Sequence, residues 1–590
     1  MWFGPDGRPL FARYYLPDGE LARGVVVLCP PFGVEAEATA RAYRLLGEQL
    51  AAARFAVLQI DYDGTGDSAG LDTDPGRLEA WQASVRAAVD FARSAGARQV
   101  SVLGMRLGAT IAASVAAGCD LDALVLWDPC DSGRSYLRDQ ELLRRVYMGD
   151  DRPEAAVGGP GTASVEVLGA VYGPETVAEL TGLTLAGCEG ELAKRALVLL
   201  RPGRRVRKAV SDWLSVHHVE VEPVGGQEEL LGSWYGAARV PESTLGTIES
   251  VVSWLSGAVG LEEHGFELDK QRVARLKVLE DEVVTEEIVS LGPNKLFGIM
   301  ATRAPGYEGG EPVGGQAPTT VVVLNSGWAD HTGPGRLWVG PAREWAQSGL
   351  SVLRVDLSGL GDSRPRPGEP SDVVYPPCAM EDIMDIASEL SPDGMSSLVL
   401  VGLCSGARHA IEAGMSLGAR GVVAVNPAFP PAPSATKASR QPDDEASVLR
   451  PPGWLDQARR ALYELGRRHR SVHAMGRSAR GLSHVLWWLA NRLGERWRPF
   501  VALRRLVERG AETYVICDTE TGWLVTRGEL HQLRALERTG IFRLDVLGDV
   551  DHTLYSRRGR DQVLPRIREH LVSRYVARID LKARRLGGAG

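Results

Sequence analysis

Short apolar runs alternate with longer stretches of helix-favouring sequence along most of the chain. Strand-like runs such as Val25–Leu28, Val321–Leu324 and Leu398–Val401 are separated by amphipathic stretches such as 38–54 and 336–348. This alternation is typical of a mostly parallel sheet with helices on both faces. We therefore predict an α/β fold.

The pattern occurs twice in the same order. The matching segments, at offsets between 295 and 298 residues, are Val25–Leu28 with Val321–Leu324, Asp61–Ser68 with Asp356–Ser363, Gly104–Ala109 with Gly402–Ala407, and Trp127–Pro129 with Val425–Pro427. Four matches at a nearly constant offset predict a duplicated domain. Each copy opens with a predicted hairpin, around Gly4–Gly7 in the first and Gly292–Asn294 in the second.

The repeat sets the expected domain boundaries. We expect a first domain over 1–258, a linker over 259–282, a second domain over 283–577, and a tail without function over 578–590. The length of 590 residues fits two large domains better than one.

Each copy carries a long segment after its Asp-Pro or Asn-Pro strand end. In the first copy this segment is 131–194, and in the second it is 428–510, which contains Trp487, Trp488 and Trp497. An insertion there would cover the crevice at the carboxyl ends of the strands, so we interpret 428–510 as a lid. The alternative is a surface elaboration whose aromatic residues pack internally.

Composition excludes several classes of protein. The chain is 44% hydrophobic and 24% charged, which is typical of a soluble globular protein, and its net charge of −8 gives no general attraction to nucleic acid or anionic membranes. The amino terminus has no secretory signal and no apolar run could span a bilayer, so we expect a cytoplasmic location. The seven cysteines are scattered without a Cys-x-x-Cys pair, which argues for reduced thiols and against a zinc site, and no cofactor is predicted.

The strongest chemical signal lies at Gly402–Ala407, where an apolar run ends in Gly-Leu-Cys-Ser-Gly. A strand that turns sharply into a helix needs small flanking residues and holds the central side chain, here Cys404, in a strained and accessible position. The alternative is an ordinary turn with a buried cysteine that merely packs.

These motifs resemble the α/β-hydrolase superfamily, and both copies carry the resemblance. The second copy resembles a bacterial group that combines Gly-Leu-Cys-Ser-Gly-Ala with Asp356–Ser363 and a late Asp-His-Thr at 551–553. The first copy is similar to the exosortase-associated type 2 hydrolases, which carry arginine at the central position, as Arg106 does here. The superfamily implies a nucleophile, an acid and a histidine in that chain order.

In that order Cys404 is the expected nucleophile and His552 the expected base. The acid follows the strand 513–517 and is either Asp518, which is nearer the strand end, or Glu520, on which the resemblance places it. Either carboxylate could hold the imidazole in the required tautomer, and we expect Glu520 slightly more than Asp518.

Two backbone N–H groups are expected to stabilise an oxyanion. Ser405 would contribute one, while its side chain points away from the site, and Trp328 would contribute the other from the loop that follows Leu324. Gly327 permits close approach of that loop. His331, in the same loop, either lines the substrate pocket or is a plain loop residue.

A cysteine nucleophile indicates particular substrates. A thiolate paired with His552 at a helix amino terminus can attack a thioester or activated ester and form an acyl-cysteine. That intermediate can pass to water, an alcohol or an amine, so acyl transfer is as plausible as hydrolysis. The leading hypothesis is therefore an acyl hydrolase or acyltransferase, with an acyl-thioester or ester substrate, including acyl groups bound to a carrier protein.

The first copy lacks these parts. Arg106 stays protonated and cannot attack a carbonyl. The strand at 195–200 runs into Arg201–Arg204 with no carboxylate, and no histidine lies just after the last strand region, since the next one, His264, is already in the expected linker. Arg106 either binds a carboxylate or phosphate of the substrate or pairs with a neighbour such as Asp128 in a degenerate domain. Two further hypotheses are an acyl- or carboxylate-binding protein without catalysis and, from the resemblance alone, a scaffold in a biosynthetic or exopolysaccharide complex.

Overall fold

Two α/β domains follow one another along the chain. The computed structural model describes residues 1–19, 21–148, 164–232, 240–279, 282–304, 319–391, 397–428, 499–521 and 530–576. The predicted fold class and the duplication are confirmed, because each half of the chain builds its own mostly parallel sheet with helices packed against it.

The first domain contains an eight-stranded sheet of order β1-β2-β5-β4-β6-β7-β10-β11, a short hairpin β8-β9, and one further short strand, β3. Its strands are β1 (Trp2–Phe3), β2 (Leu10–Tyr15), β3 (Leu21–Ala22), β4 (Val25–Cys29), β5 (Ala56–Asp61), β6 (Val100–Met105), β7 (Ala123–Trp127), β8 (Val165–Val167), β9 (Ala170–Tyr172), β10 (Arg195–Leu200) and β11 (Glu220–Pro223). Its helices are α1 (Val34–Ala52), α2 (Arg77–Ser94), α3 (Leu107–Ala116), α4 (Gly133–Met148), α5 (Pro174–Gly182), α6 (Lys208–Val216), α7 (Gln227–Gly232) and α8 (Glu242–Ala258).

The second domain contains a nine-stranded sheet of order β13-β14-β15-β17-β16-β18-β19-β20-β21. Its strands, preceded by the short β12 (His264–Gly265), are β13 (Val273–Leu279), β14 (Glu282–Leu291), β15 (Leu296–Arg303), β16 (Thr320–Val323), β17 (Ser351–Val355), β18 (Leu398–Leu403), β19 (Gly421–Val425), β20 (Glu512–Asp518) and β21 (Phe542–Leu547). Its helices are α9 (Val339–Gln347), α10 (Ala379–Leu390), α11 (Ser405–Leu417), α12 (Pro499–Glu508), α13 (Leu530–Glu537) and α14 (Arg557–Tyr575).

The two sheets share one topology once the extra edge strand β13 is set aside. In both, two antiparallel strands at one edge are followed by parallel strands in which the third and fourth change places. The central strands are completely buried because their side chains are apolar on both faces, as in β18. Parallel strands all end at the same edge, so the loops after β16, β18, β20 and β21 meet there.

The segment interpreted from the sequence as a linker contains structure that belongs to both domains. Strand β12 pairs with β3 of the first domain, and β13 pairs with β14 of the second. The backbone of Gly7 also exchanges two hydrogen bonds of 3.0 Å with Arg275 and Lys277 of β13. Residues 273–279 therefore hold the two domains together.

An apolar cluster joins the domains at the same place. Trp2 and Phe11 of the first domain pack with Leu276 and Ile299 of the second, and all four are buried. The first domain therefore shares part of its hydrophobic core with the second.

The predicted lid 428–510 falls mostly outside the described residues, and so do Trp487, Trp488, Trp497 and the tail 578–590. Its last part forms α12, whose residues Leu503 and Leu506 are buried in the core of the second domain. This helix is thus a structural element of the domain. In the first copy, the insertion forms α4, the β8-β9 hairpin and α5.

No helix among the described residues is long and apolar enough to span a lipid bilayer.

Candidate active site

The turn between β18 and α11 places Cys404 at the edge of the sheet where the loops meet. Cys404 has φ 56° and ψ −113°, a backbone conformation that is unfavourable for any residue with a Cβ. The strain is held by the strand before it, the helix after it, and a 3.0 Å hydrogen bond from the Cys404 N–H to the Val425 carbonyl of β19.

The two flanking glycines are required by close backbone contacts. A Cβ on Gly402 would lie 2.1 Å from the backbone of Gly406, and a Cβ on Gly406 would lie 2.4 Å from the Asn325 carbonyl oxygen. No side chain fits at either distance. The Gly-x-Cys-x-Gly spacing is therefore explained by the packing of β18, α11 and the loop after β16.

His552 lies beside Cys404, in the loop 548–556 between β21 and α14, which we call the His552 loop. Its Nδ1 is 3.4 Å from Oδ2 of Asp518, the last residue of β20. The imidazole also interacts with the Cys404 thiol. The structure thus brings together a cysteine, a histidine and a carboxylate from three neighbouring strand ends.

Asp518 is fixed in place by its own neighbours. The Thr521 N–H donates to its Oδ1 at 2.6 Å, and the Thr521 hydroxyl donates to its Oδ2 at 3.2 Å. Burial opposes the charge on Asp518, but His552 and these hydrogen bonds hold the pKa of its carboxyl below the usual value. The group is therefore a carboxylate at neutral pH.

Asn426, which the sequence analysis did not single out, joins the acid and the histidine. Its Oδ1 accepts a 2.6 Å hydrogen bond from the Asp518 N–H, and its Nδ2 donates a 2.8 Å bond to the His552 carbonyl. Asn426 has φ 43° and follows β19 directly. The Asn-Pro match between the two copies was the available signal for this residue.

The charge state of His552 follows from its two partners. Burial disfavours the imidazolium, but the interactions with Asp518 and Cys404 outweigh it and raise the pKa of His552 to about 10. His552 is therefore an imidazolium at neutral pH.

Glu520, the slightly preferred acid in the sequence analysis, is placed differently. It lies on the helical turn after β20 with an exposed side chain, whereas Asp518 is 6% exposed and makes the ion pair with His552. The geometry therefore favours Asp518, because the strand continues to that residue and directs its side chain at the imidazole.

The loop 325–338, which we call the Gly327 loop, lies against the start of α11. Gly327 has φ 61°, and its N–H donates a 2.8 Å hydrogen bond to the Ser405 hydroxyl. The Ser405 side chain is buried in this contact, which leaves its own N–H at the first position of a helix, where no intrahelical acceptor exists. Trp328 follows, its indole N–H held at 2.9 Å by the Asp372 carbonyl.

His331, for which the sequence left open a place in the pocket or in a plain loop, lies in the domain interface. Its side chain is completely buried between two carboxylates, with Nε2 at 2.7 Å from Asp67 of the first domain and Nδ1 at 2.8 Å from Asp356 of the second. Burial opposes its charge, but the two carboxylates raise the pKa of His331 well above the usual value.

His331 also belongs to a group with the donor types of a metal site. Among the described residues, His331, Asp356 and Asp362 place ligand atoms within 4.8 Å of one another. Both imidazole nitrogens are already engaged by carboxylates, so ion pairing between the domains accounts for this group.

In the first domain Arg106 occupies the position of Cys404. Its backbone has φ 54° and ψ −123°, and a Cβ on Gly108 would lie 2.3 Å from the Pro30 carbonyl oxygen, so the sharp turn is preserved. The guanidinium is buried and lies 3.3 to 3.4 Å from Glu35, Asp128 and Asp139.

These contacts fill the first site with paired charges. Asp128, the counterpart of Asn426, is fully buried and also pairs with Arg204 at 2.6 Å and Arg201 at 3.1 Å. Asp139, which belongs to α4 of the insertion, also pairs with the Arg106 guanidinium. The arrangement matches the structural alternative for Arg106, in which it pairs with Asp128, and leaves its guanidinium committed to protein carboxylates.

Comparisons with known proteins agree with the division of the chain into two α/β domains. The model of the alpha/beta hydrolase family matches residues 321–565, and the model of the serine aminopeptidase family S33 matches residues 21–146. A search of curated proteins finds no significant match.

Solved structures that resemble one half of the chain include Est1E, an esterase domain and a monoacylglycerol lipase. The ferulic acid complex of Est1E from Butyrivibrio proteoclasticus is 15% identical, covering 44% of this chain and 98% of its own, with a TM-score of 0.33. The esterase domain of a Rhodothermus marinus protein is 16% identical, covering 44% and 98%, with a TM-score of 0.31. A monoacylglycerol lipase from Paleococcus ferrophilus is 17% identical, covering 42% and 99%, with a TM-score of 0.29.

Proposed function

The chain belongs to the α/β-hydrolase superfamily in both of its domains, and from this premise we propose that the second domain is an acyl hydrolase or acyltransferase that works through an acyl-cysteine on Cys404. The observation that carries the proposal is the strained turn that presents Cys404 beside His552, which Asp518 orients from 3.4 Å. Nucleophile, acid and histidine then follow in the chain order that the superfamily requires.

The proposed reaction begins with the thiolate and imidazolium pair. The Cys404 sulfur attacks the acyl carbonyl carbon, a C–S bond forms, and the carbonyl oxygen becomes an oxyanion. The N–H groups of Ser405 and Trp328 are the proposed donors to that oxyanion. When the tetrahedral intermediate collapses, the bond to the leaving group breaks and His552 supplies its proton.

The second half-reaction restores the enzyme. Neutral His552 removes a proton from water or from an acceptor alcohol or amine, which attacks the acyl-cysteine. The C–S bond then breaks, and the thiolate and imidazolium pair forms again. Asp518 keeps Nδ1 of His552 protonated in both steps, so Nε2 exchanges the proton with the reacting groups.

The proposed substrates are thioesters and activated esters, including acyl groups on a carrier protein in the cytoplasm. Their leaving groups are good, and the acyl-cysteine is itself a thioester, so attack by the sulfur is close to balanced in energy. An amide would have to expel a poor leaving group to form the same intermediate.

Intact-mass measurement and peptide mapping test the proposal. The whole chain is incubated with p-nitrophenyl acetate and, separately, with acetyl-coenzyme A, and we expect one acetyl group on the peptide that contains Cys404. Cys404→Ala should abolish the adduct and the turnover. The matched control is Cys119→Ala, which removes a buried thiol of the first domain and should change neither. Acetylation of Ser405, or none with either donor, would contradict the proposal.

A non-catalytic binding protein is the alternative from the sequence analysis, with Arg106 as the anion-binding group. The three carboxylates around Arg106 leave that role without support, because the guanidinium is already paired.

A further inference from the structure

Helix α1 of the first domain lies against the second domain. Three of its residues, Glu37, Arg41 and Arg44, are spaced i, i+4 and i+7 and so share one helix face. All three make hydrogen bonds or ion pairs with residues of the second domain.

Glu37 contacts both loops that carry the proposed catalytic groups. Its Oε1 accepts a 2.6 Å hydrogen bond from the Gly335 N–H of the Gly327 loop. Its Oε2 accepts a 2.5 Å hydrogen bond from the Tyr555 hydroxyl of the His552 loop. One carboxylate of the first domain therefore connects the loop of the proposed oxyanion donor to the loop of the proposed base.

Arg41 holds the Gly327 loop by a second route. Its Nε is 2.7 Å from the Asp372 carboxylate, and the Asp372 carbonyl accepts the 2.9 Å hydrogen bond from the indole of Trp328. The residue whose N–H is the proposed oxyanion donor is thus anchored through one intermediate residue to α1.

Further contacts from the first domain secure the same two loops. Arg13 is 2.9 Å from Asp330, and Asp67 is 2.7 Å from His331, both in the Gly327 loop. The Gly169 N–H donates to the Tyr555 carbonyl at 3.1 Å in the His552 loop. The Tyr147 hydroxyl also bonds the Thr553 hydroxyl, one residue after His552.

We propose that the first domain positions the active site of the second, and that Glu37 is the residue that couples the Gly327 loop to the His552 loop. The degenerate domain has lost its own nucleophile, and its α1 acts as a support for the catalytic loops of its partner domain. Glu37 touches no reacting atom, so it is a positioning residue. The expected change in kcat rests on the proposed function. The expected loosening of the two loops rests on the contacts alone.

Glu37→Gln is the sharpest variant, because glutamine keeps the size and has only one oxygen to serve both Gly335 and Tyr555. With p-nitrophenyl acetate as the probe, we expect kcat to fall about tenfold and KM to stay within about threefold, since misplacement by a fraction of an ångström affects the transition state most. The matched control is Glu48→Gln, on an exposed position of the same helix, which should leave both constants unchanged.

Tyr555→Phe removes the hydroxyl that donates the hydrogen bond to Glu37 Oε2. If Glu37 acts through Tyr555, the double variant should be no slower than the slower single variant, whereas independent effects would multiply. If the two substitutions merely lowered stability in general, their reductions in kcat would also multiply. The single variant Tyr555→Phe also keeps the test valid if Glu37→Gln fails to fold, because it removes the same hydrogen bond.

Hydrogen exchange on the whole chain separates this inference from the proposed function. We expect faster exchange in the Gly327 loop (325–338) and the His552 loop (548–556) in Glu37→Gln, and unchanged exchange in Glu48→Gln. Faster exchange in both loops of a protein that is never acylated would support the coupling and refute the function. Wild-type kcat and wild-type exchange in a folded Glu37→Gln variant, or multiplicative loss in the double variant, would overturn the coupling.

Discussion

At the scale of single residues, Asp518 and Glu520 lie two positions apart, and we expect their substitutions to change kcat by very different amounts. Asp518→Asn removes the charge that pairs with His552, so we expect kcat to fall by about a hundredfold or more, with KM little changed. Glu520→Gln, at an exposed position, should keep kcat within about twofold. Steady-state hydrolysis of p-nitrophenyl acetate measures both. The opposite order would return the role of the acid to Glu520.

The pKa of His552 gives a prediction about pH. Because the folded pKa is about 10 and the ordinary value is 6.5, the imidazolium should persist through neutral pH and lose its proton near pH 10. Its contribution to stability is then fully present below pH 6.5 and is lost as the pH rises through about 10.

Proton NMR of the imidazole, assigned with His552→Gln, measures this titration. Asp518→Asn and Cys404→Ala each remove a group that raises the pKa, so each should move the titration to lower pH. A His552 that titrates near 6.5 in the wild-type protein would show that the ion pair does not form.

Some site residues can be recognised from a local motif, whereas the positions of others depend on partners elsewhere in the chain. Cys404 and His552 each lie in a local motif, and the geometry brings their side chains together. The choice between Asp518 and Glu520 depended on the last residue of β20, which a propensity pattern does not fix to within two positions. The interface position of His331 could not be predicted from the sequence, because its partner Asp67 lies 264 residues away in the other domain.

At the scale of elements, the turn between β18 and α11 depends on two backbones that approach closely. Gly406→Ala would put a Cβ 2.4 Å from the Asn325 carbonyl oxygen. Since neither backbone can yield easily, we expect the Gly327 loop to be displaced, kcat to fall at least tenfold, and the midpoint of thermal unfolding to drop.

Gly340→Ala is the matched control for that substitution. Gly340 also lies in a helix, and a Cβ there would meet nothing within 4 Å. Alanine should therefore raise the free energy of unfolding by about 0.4–1 kcal/mol and leave kcat unchanged. Calorimetry and p-nitrophenyl acetate kinetics on both variants check the pair. Equal kinetics in the two would show that the close contact is not needed for activity.

The elements themselves were largely predictable, and the exceptions again involve the other domain. Apolar runs and their repeat located the central strands and the two opening hairpins. Strand β13 was interpreted as linker because it is rich in charge, with Arg275 and Lys277 alternating with its buried residues Ala274 and Leu276. Those buried residues pack in the shared cluster with Trp2, so the strand is stabilised by contacts that no local pattern contains.

At the scale of the whole molecule, the first domain should be needed for structure more than for substrate binding. Arg106 is only 6% exposed, and Arg106→Ala would remove the guanidinium that pairs with the buried carboxylate of Glu35 and one of the three arginines that pair with Asp128. We expect a loss of about 3–5 kcal/mol in the free energy of unfolding, with kcat and KM for p-nitrophenyl acetate within about threefold. Urea titration and steady-state kinetics measure the two effects.

A control at the same carboxylate is Arg201→Ala. Arg201 also pairs with Asp128, but its side chain is 32% exposed, so its removal should cost only about 0–1 kcal/mol. A strong rise in KM for Arg106→Ala, with folding intact, would mean that the first domain takes part in binding substrate.

The interface between the domains contains an ion network that is buried as completely as the apolar core. Asp67 of the first domain pairs with His331 at 2.7 Å and with Arg354 at 2.6 Å, and Arg354 also pairs with Glu286 at 3.0 Å. The side chains of these four residues are completely buried. Asp67 pairs across the interface with two buried cations of the second domain, so the two domains are expected to unfold together in one transition.

Asp67→Ala tests that cooperativity. It leaves two buried cations short of a carboxylate, and we expect it to cost about 3–5 kcal/mol. Calorimetry of the wild-type chain should show one transition, and the variant should show two, because the domains would lose the charge that links them. Asp90→Ala, at an exposed position of α2, should melt as the wild type does. Two transitions already in the wild-type chain would mean that the domains fold independently, and the second domain would then not need the first to keep its catalytic loops in place.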